Sequence, residues 1–226
     1  SDLLHYMEFL EAVDSESWFG FIKDWIGANK PYKKGYWLDD WNSYSLSIRV
    51  VVWMQQFESR GNFLSEADKA LFLSSLEAQI IFLESNLEVD IGGNHLVKNI
   101  KALLWASRFF EGPAARRWGE LGSKLLRRAL IEQVTSDGVH FELSPAYHAQ
   151  VFADLLECYS VLDGGTVKKE LKMVLPKMAQ FLSDVVHPDG MVSLFGDGGL
   201  NMGYAPRECL SIFEQLININ IEQANL

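Results

Sequence analysis

Two short segments of the 226-residue chain carry side chains that can hold or move protons. The first is Gly92–Leu96, in which Asn94 and His95 follow two glycines at the expected start of a helix. An amide and an imidazole there would lie beside unpaired backbone N–H groups and the positive end of the helix dipole, which suits an anion such as a carboxylate. The alternative is that Asn94 only caps the helix and His95 is a surface residue.

The second segment is Asp137–His148, in which a glycine turn leads through a short extended stretch into another helix. Ser144 is the expected cap, and Pro145 suits the first helical position. Tyr147 and His148 then fall in the first turn, and both are candidates for proton transfer. Adjacent helical residues point about 100° apart, so the two cannot share one role. The alternative is an ordinary helix start, with Tyr147 packed against the core and His148 solvated.

A third segment, residues 37–53, combines aromatic side chains with one arginine. Trp41 could stack on a sugar ring, and Arg49 could pair with a carboxylate or sulfate. Trp53 follows Arg49 at helical spacing, which favours a core position for Trp53 with the arginine stem packed on it.

Other chemistries lack their sequence patterns. The five histidines include no HExxH, and no CxxC, GxSxG or Rossmann glycine pattern is present. The glycine-rich turn at residues 195–199 lacks the lysine of a phosphate loop. Cys158 and Cys209 fall in apolar helical patterns and are predicted to be small buried side chains. Acid–base chemistry remains, with no metal and no cofactor predicted.

The elements that must position these residues are helices. Apolar residues recur every three or four positions along the chain, which predicts about nine helices separated by short Gly, Pro, Asp or Asn breaks. The strongest predicted helices are Tyr44–Phe57, Glu66–Asn86, Asn94–Phe110, Ala114–Val134, Pro145–Leu162, Val167–Val186 and Pro206–Ile221. Only Met191–Phe195 could form a short strand. Successive antiparallel hairpins with short loops favour an all-α solenoid or toroid over a four-helix bundle.

Composition narrows the class of protein. The net charge of −10 and the pI near 5.0 argue against a nucleic-acid partner. No run approaches the roughly 20 apolar residues that span a bilayer, so no membrane span is predicted. No basic-then-apolar signal peptide opens the chain. We expect residues 1–226 to form one domain.

Several of these segments occur together in a recognisable order. Ser47-x-Arg49 with Trp53 comes first, then Gly93–Leu96 and Ala102–Phe110, and then Asp137–His148 with its Glu-x-Ser-Pro-x-Tyr-His string. In this order, over roughly residues 37–200, they resemble the heparinase II/III-like family and the neighbouring alginate and oligoalginate lyases.

The resemblance implies an incomplete α/α toroid, belonging to a larger bacterial, periplasmic or secreted enzyme whose C-terminal β-sandwich region is absent here. It implies cleavage of uronic-acid polysaccharides by β-elimination. Asn94 and His95 would neutralise the substrate carboxylate, Tyr147 would transfer a proton, and a histidine of the β region would act as a base. We further predict substrate contacts at Arg49, Glu142, His148 and Trp41.

Two other functions remain open at this point. Proton abstraction without loss of the leaving group would make the protein a uronyl C5-epimerase. A helical module that binds a glycan or a protein, with no chemistry of its own, belongs to a different class. Replacing Tyr147 by phenylalanine would leave the role of such a module intact.

Overall fold

The computed structural model describes residues 6–31, 40–134, 138, 145–185 and 206–217. They form eight α-helices and two short 3-10 turns, Glu8–Ala12 and Gly61–Phe63. The helices are α1 (Trp18–Ala28), α2 (Ser43–Arg60), α3 (Glu66–Ser85), α4 (Gly93–Phe109), α5 (Pro113–Gln133), α6 (Pro145–Val161), α7 (Gly165–Val185) and α8 (Pro206–Ile217). The predicted all-α class is confirmed.

The helix boundaries follow the break residues of the sequence. Asn42 caps α2 by accepting a hydrogen bond from the Ser45 amide at 2.9 Å, and Ser65 caps α3 in the same way. Gly112, at φ 96°, precedes Pro113 at the start of α5. Such a proline loses no helical hydrogen bond, because the first amides of a helix have no partner within it. The main helices therefore begin and end within about one turn of their predicted positions.

Contacts between side chains fix the direction of each helix. Ser43 at the start of α2 donates to the carbonyl of Asn86 just after α3, so these two helices are antiparallel. Contacts between α2 and α4 advance in the same direction along both helices, from Tyr44–His95 to Ser47–Asn99. Contacts between α4 and α6 do the same, from Asn94–Gln150 to Lys101–Glu157. Consequently α2, α4 and α6 run parallel, with their N-termini at the same edge.

Burial separates the helices into two layers. Eleven of the 17 residues of α4 are buried, against seven of the 21 residues of α5. A helix buried on nearly all sides belongs to an interior layer, whereas one with a single buried face belongs outside. The inner layer is formed by α2, α4 and α6, and α3, α5 and α7 pack outside it. The result is an incomplete α/α toroid built from antiparallel hairpins, as predicted.

The core has an aromatic part and an aliphatic part. Trp18, Trp53 and Phe72 belong to the first, in which Trp53 is fully buried as predicted. Cys158 and Cys209 belong to the second and are 0% and 3% exposed, which confirms them as small core residues. Burial raises the pKa of both thiols, that of Cys209 to about 12.

Across the described ranges, every helix is too short or too polar to cross a bilayer. No group of three or more His, Cys, Asp or Glu side chains in those ranges is arranged to hold a metal ion.

Candidate active site

The candidate site lies at the edge where α2, α4 and α6 begin. His95 in the first turn of α4 packs on Tyr44 in the first turn of α2, with ring centroids 4.3 Å apart. Asn94 of α4 donates from Nδ2 to Oε1 of Gln150 in α6 at 3.0 Å. The start of α4 is therefore tied to the starts of both neighbouring inner helices.

Asn94 does not cap α4, so the alternative in which it only caps the helix is wrong. The N-cap is Gly92 at φ 65°, and Gly93 follows at φ 53° as the first helical residue. These left-handed conformations, which glycine adopts without strain, turn the chain before Asn94 is reached. The half-buried Asn94 side chain is thereby released from the helix end, and its amide points across to α6.

His95 is held from two sides. Its Nδ1 lies 3.0 Å from Oε1 of Glu88, in the loop between α3 and α4, and Tyr44 covers one ring face. The imidazole is still 39% exposed, compared with 15% for the Glu88 side chain. A ring that is fixed yet open to solvent can contact a ligand.

The neighbouring Tyr44 is a poor candidate for proton transfer. Burial, followed by the charges of Tyr6, Asp154, Glu8 and Glu88, raises the pKa of its phenol to about 12. It therefore stays protonated at neutral pH, and its contribution to the site is the packing surface under His95.

Tyr147 and His148 have opposite environments. The alternative drawn from the sequence, in which Tyr147 packs against the core and His148 is solvated, is reversed. Tyr147 is half-buried, whereas His148 is 1% exposed and its Nε2 lies 2.9 Å from the Met178 carbonyl oxygen. Tyr147 precedes Gln150 by three residues, so the two share one face of α6. Tyr147 thus lies one turn from the residue that binds Asn94, whereas His148 points into the core between α6 and α7.

A polar seam continues from the site along α4 and α6. Lys98 and Lys101 of α4 both donate to Oδ1 of Asp154, at 3.0 and 2.8 Å, and Lys101 also pairs with Glu157 at 3.0 Å. Asp154 is fully buried and the lysine side chains are 8% and 5% exposed. Burial raises the pKa of Asp154, but the two lysines outweigh that effect and the net shift is downward. The seam fixes the register of the two helices directly behind Asn94 and Gln150.

Arg49 and Trp41 lie inside the molecule rather than on a substrate-accessible surface. The Arg49 side chain is fully buried; its guanidinium lies 4.0 Å from the Trp25 ring centroid and donates to Gln79 at 2.8 Å. Burial lowers its pKa to about 9, which still leaves a cation at neutral pH. Trp41, 4% exposed, donates to the Asn29 carbonyl. These positions do not fit the substrate contacts predicted for them, and His148 fails for the same reason.

Some predictions fall outside the described residues. Glu142, the Ser144 cap, the strand at Met191–Phe195 and the turn at residues 195–199 are among them. Gly138, the one residue described between Val134 and Pro145, has φ 88°, and a Cβ there would lie 2.4 Å from Cβ of Lys177. Glycine is thus required where this residue lies against α7.

Four further residues of the site were not singled out from the sequence: Tyr44, Glu88, Asn99 and Gln150. Gln150 could have been found from the sequence, because it lies three residues beyond Tyr147 and so on the same face of the helix. Glu88 and Asn99 could not, because their roles depend on how the loop before α4 folds back onto the second turn of that helix.

The described residues form an all-α toroid with an amide, an imidazole and a phenol at one edge of its inner layer. Comparison with known proteins identifies the family of the chain. The sequence profile of the heparinase II/III N-terminus matches residues 10–216. The chain belongs to the heparinase II/III family, as its N-terminal helical region.

Curated relatives include two heparin-sulfate lyases. The one from Bacteroides thetaiotaomicron is 27% identical over 197 residues, covering 80% of this chain and 28% of the relative. The one from Pedobacter heparinus is 29% identical over 131 residues, covering 56% of this chain and 20% of the relative. The chain therefore spans less than a third of the length of either relative.

Solved structures agree on the fold. A heparinase III structure aligns with a TM-score of 0.70 at 23% identity, covering 91% of this chain and 36% of that one. The heparan sulfate lyase of Pedobacter heparinus aligns with a TM-score of 0.65 at 24% identity, over 88% of this chain and 34% of that one.

Proposed function

We propose that the protein cleaves a uronic-acid polysaccharide by β-elimination, with Asn94 and His95 neutralising the substrate carboxylate and Tyr147 transferring a proton. The observation that carries this proposal is the bridge from Asn94 to Gln150, which brings the start of α4 against the turn of α6 that bears Tyr147. Membership in a family whose curated relatives are heparin-sulfate lyases supports the proposed reaction class.

The reaction assigns a task to each of the three side chains. Removal of the C5 proton builds negative charge on the adjacent carboxylate, and donors fixed in advance at a helix N-terminus stabilise charge where it develops. The electron pair left at C5 forms a C4–C5 double bond as the C4–O4 bond breaks. The phenol of Tyr147 gives its proton to the departing O4. A base from the region that follows this chain takes the C5 proton.

The proposed substrate class is set by the carboxylate and not by sulfate. A heparan-type polymer is the first candidate, because the curated relatives are named for it. The net charge of −10 works against long-range attraction of a densely sulfated chain, so alginate-type and chondroitin-type uronides belong in the same panel. Since such polymers lie outside the cytoplasm, we propose a periplasmic or secreted location.

Tyr147→Phe tests the proposal in the full-length natural protein. We expect unsaturated products from at least one uronide of the panel, followed by ultraviolet absorbance, and a loss of at least about 100-fold in kcat for the variant. Tyr159→Phe, which removes a half-buried phenol near the other end of α6, is the matched control and should retain activity.

Two results would overturn the proposal. One is equal activity of the two variants on a polymer that the natural protein degrades. The other is exchange of the C5 hydrogen with solvent without any unsaturated product, which would assign an epimerase.

A further inference from the structure

We propose that Glu88 is a positioning residue for His95: it binds Nδ1 of the imidazole and thereby assigns Nε2 as the nitrogen that meets the substrate. The inference rests on the proposed function for the identity of the substrate. What it states about the protein is which nitrogen of the His95 ring carries the hydrogen, and this can be measured without substrate.

Glu88 is held in place by contacts other than the one with His95. Its backbone N–H donates to Oδ1 of Asn99 at 2.8 Å, and the amide of Asn99 donates to Oε2 of Glu88 at 3.0 Å. Asn99 is itself fully buried and donates to Ser47 of α2 at 3.0 Å. The Gly92 amide donates to the Glu88 carbonyl at 3.0 Å. Backbone and side chain are thus both anchored, and Oε1 is left for His95.

A fixed carboxylate dictates which ring nitrogen carries hydrogen. An ionised carboxylate only accepts hydrogen bonds, so the contact of 3.0 Å between Oε1 and Nδ1 requires a hydrogen on Nδ1. Nε2 points away from Glu88 on the opposite side of the ring. In the neutral ring Nε2 is an acceptor; after protonation it is a donor, and Glu88 balances the charge of the imidazolium. Only the second state can donate to a uronate carboxylate.

Among the described groups around the His95 ring, Glu88 is the one placed to fix the hydrogen on Nδ1. On the α2 side the ring meets Tyr44, which stays a neutral phenol, with Tyr6 and Glu8 of the N-terminal segment beyond it. Of the charges on α4 and α6, Lys98 and Asp154 pair with each other. Glu88 is the carboxylate in direct contact with the imidazole.

Long-range ¹H–¹⁵N NMR spectra of the histidine rings test the inference. A free neutral imidazole prefers hydrogen on Nε2, whereas His95 should carry it on Nδ1. Glu88→Gln should reverse this. In this variant Asn99 still donates to the side-chain oxygen of the new glutamine. The NH₂ group of that glutamine then faces His95, so Nδ1 of His95 becomes the acceptor. Asp90→Asn, which removes one charge from the same loop at an exposed position, should leave the hydrogen on Nδ1.

Hydrogen on Nε2 and not on Nδ1 of the neutral His95 ring in the natural protein would overturn the inference, and that measurement needs no variant. An unchanged hydrogen position in Glu88→Gln would do the same.

Activity measurements then separate the inference from the proposed function. In the full-length protein, Glu88→Gln should lose at least about tenfold in kcat/KM, since the imidazolium that neutralises the uronate loses the carboxylate that balances its charge. Glu88→Asp should recover part of that loss, and Asp90→Asn should behave as the natural protein. The reversal in the NMR spectra without any uronide-degrading activity would leave Glu88 assigned and refute the lyase.

Discussion

At the residue scale, burial decides the state of His148. Its ring packs against Phe181 at 4.6 Å and lies near Phe152, and Nε2–H donates to the Met178 carbonyl. Burial lowers the pKa of His148 to about 4, although the bond to Met178 works in the opposite direction. The imidazole is therefore neutral in the folded protein at neutral pH, and it holds α6 to α7 as a hydrogen-bond donor.

This depressed pKa makes stability depend on pH. Unfolded His148 takes up a proton near pH 6.5, whereas folded His148 does so only near pH 4. Between these two pH values only the unfolded state gains a proton. The contribution of neutral His148 to the free energy of unfolding is therefore fully present above pH 6.5 and is lost as the pH falls toward 4. The size of this effect is roughly 3 kcal/mol.

His148→Gln keeps a donor for the Met178 carbonyl but cannot titrate. Urea unfolding at a series of pH values should therefore show a smaller acid-induced loss of stability in the variant than in the natural protein. Parallel loss of stability in the two proteins would contradict the assignment.

Residue-scale prediction from sequence succeeded where local spacing was sufficient. The Asp137–His148 string correctly identified a helix start with Pro145 in the first turn, and Trp53 was correctly assigned to the core. Arg49, Trp41 and His148 were predicted at the substrate because their types suit sugars and anions. Their burial depends on which helix covers each one, and no local pattern contains that information.

At the element scale, the seam between α4 and α6 determines how the site is held together. Asn94, Lys98 and Lys101 follow one another at helical spacing on α4, and Gln150, Asp154 and Glu157 do so on α6. The two rows meet pair by pair, so the register that places Asn94 against Gln150 is the register that places Lys98 against Asp154.

Asp154→Ala is expected to destabilise the fold by about 3–5 kcal/mol, because it leaves two buried ammonium groups without the carboxylate that they share. Glu157→Ala is the matched control on the same helix and in the same cluster. Glu157 is 29% exposed, so this variant should lose about 1 kcal/mol or less. Urea unfolding measures both free energies, and a loss equal in the two variants would refute the assigned role of Asp154.

The elements themselves were predictable because hydrophobic periodicity and Gly or Pro breaks are local properties. The seam was not, although its lysines and carboxylates are visible in the sequence at helical spacing. Such rows usually mark a solvated face, and here they are buried because α4 lies between α2 and α6.

At the scale of the whole molecule, the order of the hairpins creates the site. Each antiparallel hairpin returns the chain to the same edge, so every inner helix begins there. Three N-terminal turns that are distant in sequence thereby become neighbours. The family resemblance, which rests on the order of the motifs, led to the prediction that these helix starts form one site. The bridging residues Glu88, Asn99 and Gln150 could be identified only from the folded structure.

The central claim is that Asn94 and Tyr147, on different inner helices, act on one bound substrate in the same elimination step. A double-mutant cycle in the full-length protein tests it most directly, using Asn94→Ala, Tyr147→Phe and both together, with kcat/KM on the degraded uronide as the readout. Residues that act as a unit give non-additive losses, so the double variant should be about as slow as the slower single variant. Losses that multiply would show that the two side chains act independently, and would contradict a shared site.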